Sequence, residues 1–293
     1  MLEDFFLGNK AVWKVGNPDP VLVREISEKL NLPAVLAKVL VKRGFTDIDD
    51  IIGFLKPSVK DMHDPMLLPD MEKAVDRILD AKEHNERIVV YGDYDVDGIT
   101  ATSILYLFLK SIGLTVSYYI PDRVDEGYGI SGAAVEFLCE NSFDLMITVD
   151  CGISATDRIE QIKEGLVLKG RKMDVIITDH HQPDSNCLPD VLALINPHLP
   201  YSEYPFSKLC GAGVAFKLVH ALCKRLNLGD EYFKYIDLAC LGTVADIVEL
   251  TGENRVIVQA GLRKIQKCPN PGIQALLEAA EIKNGNVDAW RLA

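Results

Sequence analysis

The chain has 293 residues, 48% of them hydrophobic and 25% charged, with a net charge of −12 from 43 acidic and 31 basic side chains. That is ordinary globular composition, enough for one large domain or two small ones. It argues against a broadly basic nucleic-acid-binding coat, but not against nucleic acid at an acidic site whose charge is reversed by divalent cations. No run of about eighteen apolar residues occurs, so no membrane span and no membrane partner are expected. Met1 to Lys10 lacks a basic segment followed by an apolar core, so no secretory signal is expected. The seven cysteines (139, 151, 187, 210, 223, 240 and 268) include no C-x-x-C pair. They read as reduced thiols of a cytoplasmic protein rather than a zinc site or a disulfide framework.

Taken in chain order, the first segment reads as short helices. Asp19-Pro20 resembles a cap followed by proline at the first helical position, Pro33 opens a second helix, and Thr46 is positioned to cap a third. Residues 1–69 are therefore expected to form an N-terminal helical extension, and 70–293 the main domain. Asp70 starts a stronger helix whose Met71, Ala74, Val75, Ile78 and Leu79 share one face. Strand-like runs then alternate with helical ones. The strands are expected at Ile88–Tyr91, Thr115–Ile120, Leu145–Val149, Val175–Thr178 and Val191–Ile195. From Gly211 onward the signals are mainly helical, with one apolar helix expected over Ile236–Val248. The pattern predicts an α/β fold, a largely parallel sheet flanked by helices.

In such sheets ligands bind beyond the carboxyl ends of the strands, and polar clusters fall there. Asp93, Asp95 and Asp97 follow the first strand, Asp150 follows the third, and Asp179-His180-His181 follow the fourth. A further acid, Asp246, lies late in an otherwise apolar helix. Crowded carboxylates repel one another unless cations neutralise them. Oxygen donors favour hard ions such as Mg²⁺ and Mn²⁺, and imidazole suits the transition metals. Adjacent histidine side chains diverge, so one is free to bind metal while the other faces substrate, and Asp179 is placed to orient a ring.

Other readings compete locally. An EF-hand loop starting at Asp93 needs glutamate at its twelfth position, where Ile104 stands. A phosphoryl-accepting aspartate fits Asp93-x-Asp95 but leaves the later histidine pair unexplained. Asp150 by itself is weak, since acids often cap a following helix, although Ser154 is available for that task.

Together the blocks resemble a known family. Val90-Tyr91-Gly92-Asp93-Tyr94-Asp95-Val96-Asp97-Gly98 is similar to the first motif of RecJ-type DHH phosphoesterases. Thr148-Val149-Asp150-Cys151-Gly152 resembles the second motif, Thr178-Asp179-His180-His181 the third, and Leu241-Gly242-Thr243-Val244-Ala245-Asp246 the fourth. Arg123 with Glu126-Gly127-Tyr128-Gly129, Ile195-Asn196-Pro197-His198 and the block from Cys210 to Lys217 match further stretches. The resemblance spans nearly the whole chain.

It implies a metal-dependent 5′-3′ exonuclease on single-stranded DNA, working in DNA repair and recombination by a two-metal mechanism. The implied metal set is Asp93, Asp95, Asp150, His180 and Asp246, holding two Mn²⁺ or Mg²⁺ ions, with Asp150 bridging. His181 would lie nearer the substrate phosphate as ligand or proton donor. Arg123 would clamp a phosphate beside Tyr128 and Gly129, against the plainer reading of a surface salt bridge to Asp125 or Glu126. A single-strand binding protein or helicase is a candidate partner. The alternatives are a DHH phosphodiesterase on short oligonucleotides or cyclic dinucleotides, or a catalytically weak DNA-binding scaffold relative. Two departures bear on this. Val89 stands where the family's pyrophosphatases carry a metal-binding histidine, so one ion is expected to bind weakly. Nor does the sequence supply the glycine-glycine-histidine domain and OB-fold of RecJ-like enzymes, so a fragment or truncation is expected.

Overall fold

A hairpin and three helices form the first of two units, which ends at Ser58; the second unit is Val59–Ala293. The computed structural model describes residues 4–8 and 11–293, with side chains at 16–283 and 285–293. The hairpin pairs β1 (Asp4–Gly8) with β2 (Ala11–Val15), antiparallel. It corrects the expectation of helices alone: runs of five residues are too short for periodicity to register, although their β-branched and aromatic residues favour strands. α1 (Pro20–Leu30) begins as expected, with the Asp19 carboxylate accepting the Val21 N–H. α2 (Ala34–Lys42) follows Pro33. α3 (Ile48–Leu55) is capped by Asp47, not Thr46, because the Asp47 carboxylate takes the N–H groups of both Asp49 and Asp50. Val23, Ile26, Ala37, Leu40 and Ile51 close a small core.

The larger unit starts ahead of the boundary expected at Pro69. His63 explains why: its N–H is donated to Glu253, and its carbonyl accepts from Lys217. Pro65 and Leu68 are also buried there. After α4 (Met71–Glu83), five parallel strands assemble: β3 (Arg87–Gly92), β4 (Thr115–Tyr119), β5 (Leu145–Val149), β6 (Asp174–Thr178) and β7 (Ala193–Ile195). Between them come α5 (Val96–Ser111), α6 (Gly132–Glu140) and α7 (Thr156–Leu168). Alternate residues divide the core in two. Ile88, Val90, Ile147 and Ile176 pack with α4 and α5, while Val89, Tyr91, Met146 and Ile177 pack with α6 and α7. Helices thus cover both faces, as buried parallel strands require. α8 (Gly211–Arg225), α9 (Ile236–Ala245), α10 (Gly252–Lys267), α11 (Pro271–Ala279) and α12 (Ala289–Leu292) complete the chain, α8 and α9 thickening the first core.

The strand order is β4-β3-β5-β6-β7. The chain leaves β3 for one side and returns to β5 on the other. That reversal opens a crevice at the carboxyl ends of β3 and β5, where a doubly wound sheet binds ligands.

Candidate metal centre

Asp93 leaves β3 almost fully buried. Asp95 caps α5, its carboxylate accepting the Gly98 N–H at 2.9 Å. Asp97, also buried, turns away from its own helix to the start of α8, where its oxygens take the N–H groups of Gly211 (2.6 Å) and Ala212 (2.9 Å). A helix N-terminus offers unpaired donors and a favourable dipole to an anion. Asp150 follows β5 with φ of +61°, a left-handed backbone that aspartate tolerates better than most residues, and its N–H donates to the Thr178 carbonyl. α8 approaches so closely that a Cβ at Gly211 would fall on the Asp150 carboxylate. A Cβ at Gly242 would likewise strike Thr100, Ala212 and Asp97, so α9 reaches the site only through that glycine. α9 stops at Ala245 instead of running to Val248, leaving Asp246 at the cap. Ser154 does not cap α7, whose capping position is Ala155.

The histidine pair is set by Asp179. One of its oxygens accepts the backbone N–H groups of His180 and His181 and, at 2.8 Å, the Nδ1 of His181; the other accepts the Ile153 N–H. Burial pushes the Asp179 carboxyl up, but the His181 hydrogen bond and the backbone donors outweigh it and hold the group below its ordinary value. The same hydrogen bond raises His181 and makes its Nδ1 the donor, leaving Nε2 free. Asn196 ties the loop down, donating to the His181 carbonyl and accepting the His198 N–H.

These segments meet at His180. Its Nε2 lies 3.1 Å from Asp150 Oδ1 and 3.7 Å from both Asp97 Oδ2 and Asp246 Oδ2. Three overlapping sets have ligand atoms all within 4.8 Å of one another: Asp93, Asp95 and Asp150; Asp97, His180 and Asp246; and Asp150, His180 and His181. Asp150 belongs to two of them. All six acids and histidines singled out in the sequence as site residues come together here. Asp97 joins them; its position in the acidic run was visible, but not the α8 amides that hold it.

The charges are unbalanced. Asp93 Oδ1, Asp150 Oδ1 and Asp246 Oδ2 are buried without a hydrogen-bond partner. Burial, then the charges of Asp97 and Asp95, push Asp150 up to about 11. Burial and Asp97 raise Asp246 to about 6 against the pull of His180, and burial raises Asp93. Orphaned carboxylate oxygens facing an imidazole fit divalent cations, which would satisfy them and lower these values. Val89 faces the core under α6 and α7, so no ligand comes from that position.

Arg123, Tyr128 and Gly129 lie on the loop after β4. The Arg123 guanidinium sits over the Tyr94 ring, 5.4 Å from its centroid. Glu126 is engaged elsewhere, accepting from Tyr119, Ser131 and the Asp122 N–H. The Tyr128 hydroxyl lies 3.3 Å from His181 Nδ1, and the Gly129 carbonyl accepts the Tyr91 hydroxyl at 2.9 Å.

A family model described as the DHH family, N-terminal domain, matches residues 87–243. The chain belongs to the DHH family. Among DHH relatives, it is 41% identical over 272 residues to the single-stranded-DNA-specific exonuclease RecJ of Bacillus subtilis (strain 168), covering 93% of this chain and 33% of that protein. It is 36% identical to the RecJ of Escherichia coli (strain K12), covering 92% and 47%. A solved RecJ from Thermus thermophilus, in complex with Mn²⁺, superposes with a TM-score of 0.75 at 32% identity, over 94% of this chain and 38% of that one. An exonuclease RecJ bound to manganese gives 0.68 at 37% identity, over 77% and 55%. The chain thus spans between a third and a half of the length of these two curated relatives. Among the described residues no helix is long and apolar enough to cross a membrane.

Proposed function

We propose that this chain carries the catalytic centre of a metal-dependent 5′-3′ exonuclease that hydrolyses phosphodiester bonds of single-stranded DNA in the cytoplasm. The observation that carries this reading is the convergence of buried oxygens without hydrogen-bond partners, those of Asp150 and Asp246 beside His180 and that of Asp93 beside Asp150. Asp93, Asp95 and Asp150 would hold one Mn²⁺ or Mg²⁺ ion, and Asp150, His180 and Asp246 the other. The RecJ relatives named as single-stranded-DNA-specific exonucleases, and the solved RecJ structures with Mn²⁺ or Mg²⁺, support the choice of substrate and ions. Bound divalent ions supply an activated water and stabilise charge on the phosphate.

The protein's own groups do the rest. Asp179 fixes the His181 ring through Nδ1, leaving the other ring nitrogen for a phosphate oxygen. Arg123, steadied on Tyr94, pairs with a backbone phosphate, and Tyr128 and Gly129 shape the same wall. A single-strand binding protein or helicase would present the strand.

The test is degradation of 5′-labelled single-stranded DNA by this chain in Mn²⁺ and in chelator, beside duplex DNA and a cyclic dinucleotide. Metal-dependent loss of the single strand alone is expected. Preferential cleavage of the cyclic dinucleotide would favour a DHH phosphodiesterase on small substrates. Measurable Mn²⁺ binding with no cleavage would overturn the exonuclease reading for this chain.

A further inference from the structure

Asp97 forms a close-set group with His180 and Asp246, yet both its oxygens are already engaged. It is buried, and its Oδ2 and Oδ1 accept the N–H groups of Gly211 and Ala212 on the opening turn of α8. The capping residue of α8 itself is Cys210, whose thiol is a weak acceptor, so the first-turn amides depend on Asp97. That contact bears on two other carboxylates. Gly211 lies so close to Asp150 that a Cβ there would overlap both the carboxylate and the Cβ of Asp150. On α9, a Cβ at Gly242 would meet Asp97 Oδ1, Ala212 and the Thr100 hydroxyl. Thr100 donates to the carbonyls of Val96 and Asp97, fixing the turn of α5 that carries Asp97. The Gly242 carbonyl in turn accepts the Asp246 N–H at 2.9 Å. One buried acid on α5 thus packs against the helix start that abuts Asp150 and against the glycine whose carbonyl holds Asp246.

We propose that Asp97 is a positioning residue of the metal centre: by binding the amides of α8 it sets Gly211 against Asp150 and seats Gly242 of α9, and so holds Asp150 and Asp246 at the spacing the ions require, without ligating an ion itself. This rests on the metal-centre reading above. Asp150 belongs to two of the three close-set groups, so a slip of α8 is felt at both ions. A helix N-terminus binds an anion better than a neutral group of the same shape. Asparagine at position 97 would also turn a donor towards one of the two amides.

The experiment titrates Mn²⁺ calorimetrically into the wild-type chain, D97N, G211A and the double variant, with melting temperatures measured in chelator. D97N should bind Mn²⁺ about 10- to 100-fold more weakly, the usual effect of removing a group that orients a ligand. G211A leaves the Asp97 carboxylate whole, and Gly211 is not in the left-handed region, so its added methyl acts through Asp150. It should weaken Mn²⁺ to a similar extent, and the double variant should bind no more weakly than the weaker single one, because both changes act through one contact. Wild-type Mn²⁺ affinity in D97N, with only the melting temperature lowered, would overturn the proposal and leave Asp97 a structural cap. Loss of one bound ion from D97N with affinity kept in G211A, or additive losses in the double variant, would make Asp97 a ligand and overturn it too. Should either single variant fail to fold, the other decides: weakened Mn²⁺ binding supports the role and wild-type affinity overturns it. If the wild-type chain itself binds no Mn²⁺, the metal-centre reading fails and the role of Asp97 with it.

Discussion

Two of the buried charged clusters in the larger unit, around Lys217 and around His180, differ in how they are satisfied. Lys217 and Glu253 are wholly inaccessible, yet their polar groups are used. Lys217 Nζ donates to Glu253 and to the His63 carbonyl and lies over the Tyr204 ring, while Glu253 also accepts the His63 N–H and the Tyr204 hydroxyl. The centre at His180 is less deeply buried, and there Asp93, Asp150 and Asp246 each keep a buried oxygen with no hydrogen-bond partner. A buried charge left unpaired is expensive. The Lys217 cluster completes itself and holds helices together, whereas the His180 cluster leaves oxygens that, under the proposed function, cations would complete from outside. Buried charge by itself therefore says little about function. The distinguishing feature is whether the surrounding protein satisfies it.

Removing one member of each cluster should separate the two most sharply. Asp150→Asn keeps a residue that tolerates the left-handed backbone but deletes the charge shared by two ligand sets. Metal-dependent cleavage should fall at least about a thousandfold, equivalent to about 4 kcal/mol. In chelator the melting temperature should rise, because like charges no longer crowd; a fall there would break the comparison. Lys217→Met should do the opposite, destabilising the fold by about 3–4 kcal/mol in denaturant because Glu253 is left buried and unpaired. The double variant with Glu253→Gln should recover much of that loss.

Asp179 lies between the two cases, a fully satisfied acid serving the site. Asp179→Asn should lower activity about 10- to 100-fold by freeing the His181 ring. It should also move the acid-side and alkaline limbs of the pH–rate profile, which a merely structural role would leave unchanged.

The smallest effect concerns His220, which stacks on Tyr232 with ring centroids 4.1 Å apart and is pushed down to about 4 by burial and then by Lys217 and Lys224. The unfolded chain takes up this proton first as pH falls. Stability is therefore intact above about 6.5 and is lost as pH drops towards 4, by about 1–2 kcal/mol after allowance for partial exposure. His220→Phe, which keeps a ring against Tyr232, should flatten that part of the stability profile; an unchanged acid limb would remove His220 from the account.

Much of the site was legible because its signals are local. The runs before Asp93, Asp150 and Asp179 are short and β-branched, so the strands and the acids at their ends could be placed from residue order. The misses depended on distant contacts or on very short elements. The hairpin β1–β2 is too brief to show a period, and Asp47 displaced Thr46 as a cap because its carboxylate reaches two N–H groups. The unit boundary moved to Ser58 because His63 bonds to Glu253 and Lys217, far along the chain.

The sequence by itself determined the type of fold and the type of chemistry, since alternating apolar runs select a parallel sheet and carboxylates with histidines select hard or borderline cations. Only the tertiary structure decided which of those groups remain free to bind. Asp97 shares a motif with Asp93, and Asp179 one with His180, but the amides of α8 hold the oxygens of Asp97 even where it stands beside His180, and His181 with Ile153 occupies those of Asp179. That division depends on where helices pack, and a carboxylate's neighbours across the fold are not written in its neighbours along the chain.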